Sequence, residues 1–251
     1  MHNDSNSNSE PAVAFEAVGK TYEPLGTVAL RNASFRVSRG EFVCIIGPSG
    51  EGKSTILKII AGLEHESSGS VRRPQRVSMA FQSGALFPWL TVEENIELGL
   101  RPMHLPNKKM TEIVRQQVEL LELGGLEKKR PPELSGGQAQ RVGIGRALAI
   151  DPDVLLLDEP FSALDPKTTA ELHDDLIKIW EHTHKTIIMV SHNIEEAVSL
   201  ADRVLLVREG QVEREYPVAL PYPRREQGEA FLHIVQEIRK EFFKDSETQR
   251  A

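Results

Sequence analysis

Gly47-Pro48-Ser49-Gly50-Glu51-Gly52-Lys53-Ser54-Thr55 follows the apolar run Phe42-Val43-Cys44-Ile45-Ile46 and leads into Ile56-Leu57-Lys58-Ile59-Ile60. Two glycines with four residues between them, then Lys and a hydroxyl residue, form the pattern of a phosphate-binding loop between a strand and a helix. Backbone N–H groups reach a polyphosphate closely only where glycine leaves room, and the N-terminus of the helix that follows is electropositive. The stretch therefore predicts a nucleoside triphosphate site. Lys53 is expected to meet the outer phosphates, Ser54 to offer its hydroxyl to Mg2+, and Thr55 to add a phosphate contact. A ligand-free glycine turn is the plainer alternative, and the length of the pattern and its flanking elements argue against it.

The bulk properties set limits around this site. The chain has 251 residues, 39% of them hydrophobic and 27% charged, which suits one large α/β domain. A formal net charge of −7 argues against a general nucleic-acid binder. The basic runs Arg72-Arg73, Lys128-Lys129-Arg130 and Arg224-Arg225 read as solvated surface. The single cysteine, Cys44, reads as a small buried hydrophobe, and the lack of a disulfide partner fits a reducing compartment. His182 and His184 have no partner at zinc-site spacing, so no structural metal is expected. No apolar run approaches the roughly 18 residues that span a bilayer. Residues 1–11 are polar, carry no signal-peptide pattern and are expected to form a disordered tail.

Along the chain, Ala12–Val18 and Val28–Val37 read as strands, with Tyr22 between them as an aromatic that either packs or stacks on a purine. Gly62 and Ser67-Ser68-Gly69 mark turns, and Arg76–Phe81 forms a strand ending at Gln82. Phe87-Pro88-Trp89-Leu90 places apolar residues in a surface loop, and Thr91-Val92-Glu93-Glu94 has the form of a capping box that starts a helix toward Leu98. A second helix is predicted over 109–123 from the spacing of Met110, Ile113, Val114, Val118 and Leu121. Leu134-Ser135-Gly136-Gly137-Gln138 opens another helix, as an anion site or as a tightly packed cap.

Asp153–Leu157 is an apolar strand that ends in Asp158-Glu159-Pro160, and four apolar residues in a row suit a strand buried on both faces. Carboxylates at its C-terminal end lie where open α/β sheets place their chemistry. Asp158 is expected at the magnesium shell, and Glu159 as the base for an attacking water. Ser162–Pro166 is a turn into a helix, Thr186–Val190 a buried strand ending in Ser191-His192, and Val204–Arg214 a hairpin. After Pro217, Pro221 and Pro223 mark a linker to an amphipathic helix striped by Phe231, Ile234, Val235, Ile238 and Phe242, expected to pack on its own domain.

In this order, the phosphate loop, Gln82, Leu134–Gln138, Leu155-Leu156-Leu157-Asp158-Glu159, Ser162–Asp165 and His192 resemble the ATP-binding cassette (ABC) ATPases over about residues 12–215. The resemblance implies a RecA-like phosphate-loop NTPase core, an antiparallel β subdomain and an inserted helical subdomain near 85–145, with 216–251 as linker and helix. It implies ATP and Mg2+ as ligands. Tyr22 would stack on adenine, Gln82 would reach the metal and the attacking water, Glu159 would be the base and Asp165 the D-loop residue. His192 would contact the γ-phosphate. Ser135, Gly136, Gly137 and Gln138 of one copy would close on the ATP held by Lys53 of a second copy, making the active form a homodimer. Glu51 and Ala139 are unusual choices at variable positions.

The segment Phe87–Asn95 and the Pro-rich, Arg-bearing tail look like importer ATPases of the nitrate, sulfonate, taurine and bicarbonate group. That likeness implies membrane permease subunits, a solute-binding protein outside the membrane, and a place on the cytoplasmic face. It also makes the apolar residues at 86–90 partly an interface. An exporter ATPase is an alternative. A soluble ABC ATPase acting on nucleic acid or ribosomes usually carries a long coiled coil before the signature or a second cassette, and this chain has neither.

Overall fold

The computed structural model describes residues 10–82 and 84–244, so the expected tail lies, through Ser9, outside them. The chain runs β1 (Val13–Tyr22), β2 (Thr27–Val37), β3 (Phe42–Ile46), α1 (Lys53–Ala61), β4 (Ser68–Arg72), β5 (Val77–Ala80), α2 (Val92–Leu98), α3 (Asn107–Leu120) and α4 (Gly136–Leu148). It continues through β6 (Val154–Asp158), α5 (Pro166–Thr183), β7 (Thr186–Val190), α6 (Ile194–Leu200), β8 (Arg203–Arg208), β9 (Gln211–Pro217) and α7 (Glu229–Phe242).

Among the described residues the strands make two sheets. The larger has the order β5-β6-β7-β3-β8-β9, parallel except for β9. Its central strands β6, β7 and β3 are apolar except for Asp158 at the end of β6 and Thr186 at the start of β7, because both faces are covered. Phe42, Cys44 and Ile46 of β3 face a core shared with α4, α5 and α6, whereas Val43 and Ile45 face a second core shared with α1 and the smaller sheet. β6 divides the same way, with Leu155 and Leu157 on one side and Val154 and Leu156 on the other. Fully burying one such side chain stabilises the fold by about 1.5–3 kcal/mol. Cys44 is a buried core residue, and desolvation raises its thiol pKa.

The smaller sheet is antiparallel, in the order β2-β1-β4. β1 extends past its expected end at Val18 and takes in Tyr22, and β4 takes in Ser68 and Gly69, which read as a turn. Gly69 sits at the register shift between the Glu16–Ser70 and Gly19–Ser68 pairs, at φ +83°, where a Cβ would stand 2.3 Å from Ala17 O, so the strand needs glycine there. The helices α2, α3 and α4 pack together through Val92, Ile96, Val114, Val118, Leu121 and Val142. α2 starts at the expected capping box: Thr91 Oγ1 accepts from Glu94 N, and Thr91 N donates to Glu94 Oε2.

The solvated reading of the Arg224-Arg225 pair is corrected for Arg224, whereas Arg225 is exposed, as expected. Arg224 is 3% exposed. Its guanidinium donates to Leu220 O, Ala201 O and, at 2.7 Å, to Asp202 Oδ1, and it lies 4.0 Å from the centre of the Tyr222 ring. The side-chain atoms of Arg225 reach Ser199 and His173. The segment after Pro217 is thus strapped to α6, and α7 buries Phe231, Val235 and Ile238 in the main core.

Candidate active site

The strand order puts the C-terminal ends of β3, β7 and β6 side by side, and each end carries site residues: the phosphate loop, Ser191-His192 and Asp158-Glu159. Gly47 leaves β3 so close to β8 that a Cβ would stand 2.1 Å from Val207 O. Gly52 caps α1 at φ 88°, a left-handed conformation that glycine adopts without strain. Inside the loop the Lys53 ammonium donates to Gly47 O at 2.8 Å and Pro48 O at 2.6 Å. Burial lowers its pKa, and the nearby charges of Glu159, Glu51 and Asp158 oppose that shift. Pro48, Ser49, Gly50 and Glu51 form the bend between these two glycines. Tyr22 Oη lies 3.3 Å from Thr55 Oγ1, which sets the aromatic ring beside the loop. Lys20 stands 4.8 Å from the centre of that ring and is fixed by Glu64 at 2.8 Å.

Ser54 Oγ donates to Asp158 Oδ1 at 3.3 Å, so the loop hydroxyl and the strand-end carboxylate share one point. Burial raises the Asp158 pKa, against the Ser54 hydrogen bond and together with the neighbouring Glu159 charge. A hydroxyl and one carboxylate suit Mg2+, which keeps waters and completes its shell with substrate phosphates. No cluster of three or more His, Cys, Asp or Glu able to hold a metal occurs among the described residues. Glu159 takes φ 47°, a strained conformation for a non-glycine residue, and its N–H donates to Val190 O at 3.0 Å. Its Oε2 lies 3.4 Å from His192 Nδ1. Gln82 Nε2 donates to Ser162 Oγ at 2.9 Å, and Ser162 Oγ donates to Glu159 O at 3.0 Å. The structure thus ties Gln82 to the backbone of Glu159, with no hydrogen bond to Ser54 or Asp158.

Two predicted groups sit apart from this cluster. Ser135 caps α4 in a capping box with Gln138, its N–H donating to Gln138 Oε1 at 3.0 Å. Gly136 and Gly137 follow, and a Cβ on Gly137 would meet Thr168 Cγ2 at 2.4 Å, so the helix start packs on α5. Asp165 caps α5 through Lys167 N, Thr168 N and Thr168 Oγ1, and those hydrogen bonds, the Thr168 hydroxyl first, lower its pKa. Among the described residues, no hydrogen bond joins Ser135–Gln138 or Asp165 to the phosphate loop.

Several residues with a part in this geometry were given no role of their own by the sequence. Ser162 links Gln82 to Glu159, as given above. Arg146 holds the chain beyond Gln82 by donating to Gly84 O at 2.7 Å and Ala85 O at 2.9 Å. Behind His192, Ser191, Glu196 and His173 form a buried polar row. Only the Gln82-to-strand-end position hinted at the first of these.

Comparison with known proteins bears on the family and the fold. The sequence profile of the family described as ABC transporter matches residues 30–162. An aliphatic sulfonates import ATP-binding protein, SsuB of Bacillus cereus, is 43% identical over 242 residues, covering 92% of this chain and 95% of the relative. The nitrate import ATP-binding protein NrtD of Synechocystis sp. is 43% identical over 204 residues, 77% of each chain. Among solved structures, the ATP-binding cassette MJ0796, a dimer bound to ADP and Pi, superposes with a TM-score of 0.73 at 34% identity, covering 82% of this chain and 98% of that one. The cbiO1 subunit of the cbiONQ transporter from Clostridium perfringens gives a TM-score of 0.78 at 27% identity, covering 89% and 93%. The fold is therefore the RecA-like cassette with its mixed sheet and helical part, and the chain belongs to the ABC transporter family as an ATP-hydrolysing subunit.

Proposed function

We propose that this chain powers the import of a small anionic solute of the sulfonate or nitrate class through separate membrane permease subunits, from the cytoplasmic face of the membrane, with a solute-binding protein on the other side. The near full-length likeness to sulfonate and nitrate import subunits supports the solute class. The observation that carries the catalytic part is the convergence of Lys53, the Ser54–Asp158 pair and the Glu159–His192 pair at three adjacent strand ends.

In this reading Gly47–Thr55 hold the triphosphate, Tyr22 stacks on the adenine, and Ser54, Asp158 and Gln82 hold Mg2+, which when bound offsets phosphate charge. Glu159 accepts the proton of the attacking water, and His192 donates a hydrogen bond to the γ-phosphate. Gln82 orients that water from its tether on Ser162. Ser135–Gln138 and Asp165 complete the site of a second copy, a reading supported by the lack of any hydrogen bond, among the described residues, from them to the loop of their own chain. No helix among the described residues is long and apolar enough to cross a membrane, and the reading assigns the membrane path to the permease. The cassette would occupy 12–215, with its helical part near 85–145.

A general base is worth about 10²–10⁴-fold in rate. Glu159→Gln is therefore expected to bind ATP normally and to hydrolyse it slower by that factor; unchanged turnover would remove Glu159 from the mechanism. Extraction of native membranes with the tagged full chain tests the partner: an integral membrane protein should co-purify. Recovery with ribosomes or DNA instead would overturn the transport reading.

A further inference from the structure

The strap after β9 ends in a residue that reaches toward the rear of the hydrolysis site. Arg225 lines a cavity of about 300 Å³ together with Glu159, Ser191, His192 and Glu196. Its Nε donates to Ser199 Oγ at 2.8 Å, and Ser199 Oγ in turn donates to Glu195 O, so the guanidinium is held in place. Its Nη2 lies 3.2 Å from His173 Nδ1, and His173 Nε2 lies 3.2 Å from Glu196 Oε1. The other oxygen of Glu196 accepts from Ser191 Oγ, and Ser191 Oγ accepts from Asn193 N at 2.9 Å.

The direction of every bond in this row follows from its first member. Arginine has donors and no acceptor. His173 Nδ1 must therefore accept, which leaves its proton on Nε2, aimed at Glu196. The carboxylate then accepts at both oxygens, from His173 and from the Ser191 hydroxyl. Ser191, with its proton committed, uses a lone pair for Asn193 N–H. Of the residues that flank His192, Ser191 is thereby bonded to the buried carboxylate and Asn193 to Ser191. His173, Glu196 and Ser191 are all buried, at 5%, 6% and 2% exposure, so a wrong tautomer would leave an unpaired polar atom where water cannot repair it.

We infer that Arg225 and His173 are positioning residues for His192: the C-terminal strap sets the histidine tautomer that holds the Ser191-His192-Asn193 turn in register with Glu159. The inference rests on the role proposed for His192 and adds to it a link from the tail to the site. The nucleotide loop lies outside this row, so its loss acts on turnover rather than on ATP affinity.

The test is a kinetic cycle on the full chain with Mg·ATP. Arg225→Ala should lower kcat about tenfold, the size typical of lost outer-shell partners, with KM for ATP held within about twofold. Arg225→Lys, which still donates, should recover part of the loss. His173→Gln can accept from Arg225 and donate to Glu196, so it should stay near wild-type turnover, while His173→Leu should match Arg225→Ala. In a His192→Ala background, Arg225→Ala should cause no further loss, because both act through one group. If His192→Ala is slow but Arg225→Ala is not, or if the two losses multiply, the brace is wrong and the His192 role stands. If His192→Ala leaves turnover unchanged, the role of His192 fails and the brace fails with it.

Discussion

At the scale of single residues, the site holds its key charges against their own solvation. Lys53 sits in the loop with its pKa lowered by burial, and Asp158 sits at the end of β6 with its pKa raised by burial. Neither charge gains stability from its place in the protein, which is what a site built around ligand charge looks like. A carboxyl whose pKa is higher in the fold than in the unfolded chain binds its proton more tightly when folded. Relative to a neutral side chain its contribution is therefore nil below the ordinary aspartate value, turns into a cost as pH rises toward the folded pKa, and is constant above that. Asp158→Asn is thus expected to raise the melting temperature of the nucleotide-free chain at neutral pH by a small margin, and the gain should shrink as pH falls toward the ordinary aspartate value. Ser54 can still donate to the amide oxygen, so the effect isolates the charge. Mg2+-dependent hydrolysis should be lost in the same variant. Thermal melts across pH check the sign: a variant less stable at neutral pH would mean that Asp158 is held by attraction rather than by function.

At the scale of elements, one buried side chain shapes the apolar loop ahead of α2. Asn95 Nδ2 donates to Phe87 O, Leu90 O and Thr91 O, and its Oδ1 accepts from Phe87 N at 2.9 Å. The loop so fixed leaves Trp89 65% exposed and stacked edge-on against Phe87. Asn95→Ala removes the partner of the part-buried Phe87 N and Leu90 O, while Phe87 O keeps Leu90 N and Thr91 O keeps the residue 95 N–H, so a loss of about 1–3 kcal/mol is expected, read as a lower denaturant midpoint. A variant as stable as wild type would show that water replaces the amide. The capping box at Thr91 could be read from four consecutive residues, because its partners are three apart on one helix turn. The strand of β6 could be read because burial on both faces demands an unbroken apolar run. Asn95 and Arg224 could not, because their partners are backbone carbonyls whose position depends on tertiary packing. Arg224 sits beside Pro223 in a stretch that resembles a solvated linker, and only the placement of Asp202 just beyond α6 turns it inward, while the exposed Arg225 lays its guanidinium on Ser199 of α6 and His173 of α5. The strand order that brings β3, β7 and β6 together is likewise absent from local sequence, although each strand-end residue was legible in its own motif.

At the scale of the whole molecule, the helix starts at Gly52 and Ser135 share no hydrogen bond among the described residues. Ser135 caps α4 with its own box and packs on α5, whereas Gly52 starts α1 at the phosphate loop. If both serve one ATP, they must belong to different copies, and the dimer is then a consequence of ligand binding rather than of a preformed apolar face. This separates two variants that would otherwise look alike. In a Glu159→Gln background, where hydrolysis does not remove the ligand, Ser135→Arg should leave ATP affinity of the single copy within about a few-fold, since uniform binding comes from the loop. The same variant should lose the ATP-driven dimer in sedimentation, because the bulky cation takes the place of the cap that faces the partner's nucleotide. Lys53→Ala should lose both nucleotide and dimer. Should Ser135→Arg dimerise normally with ATP, the signature would act within its own chain or not at all. Should it instead abolish ATP binding by the isolated copy, the two helix starts would share a site in one chain, and the dimer would have no part in holding the nucleotide.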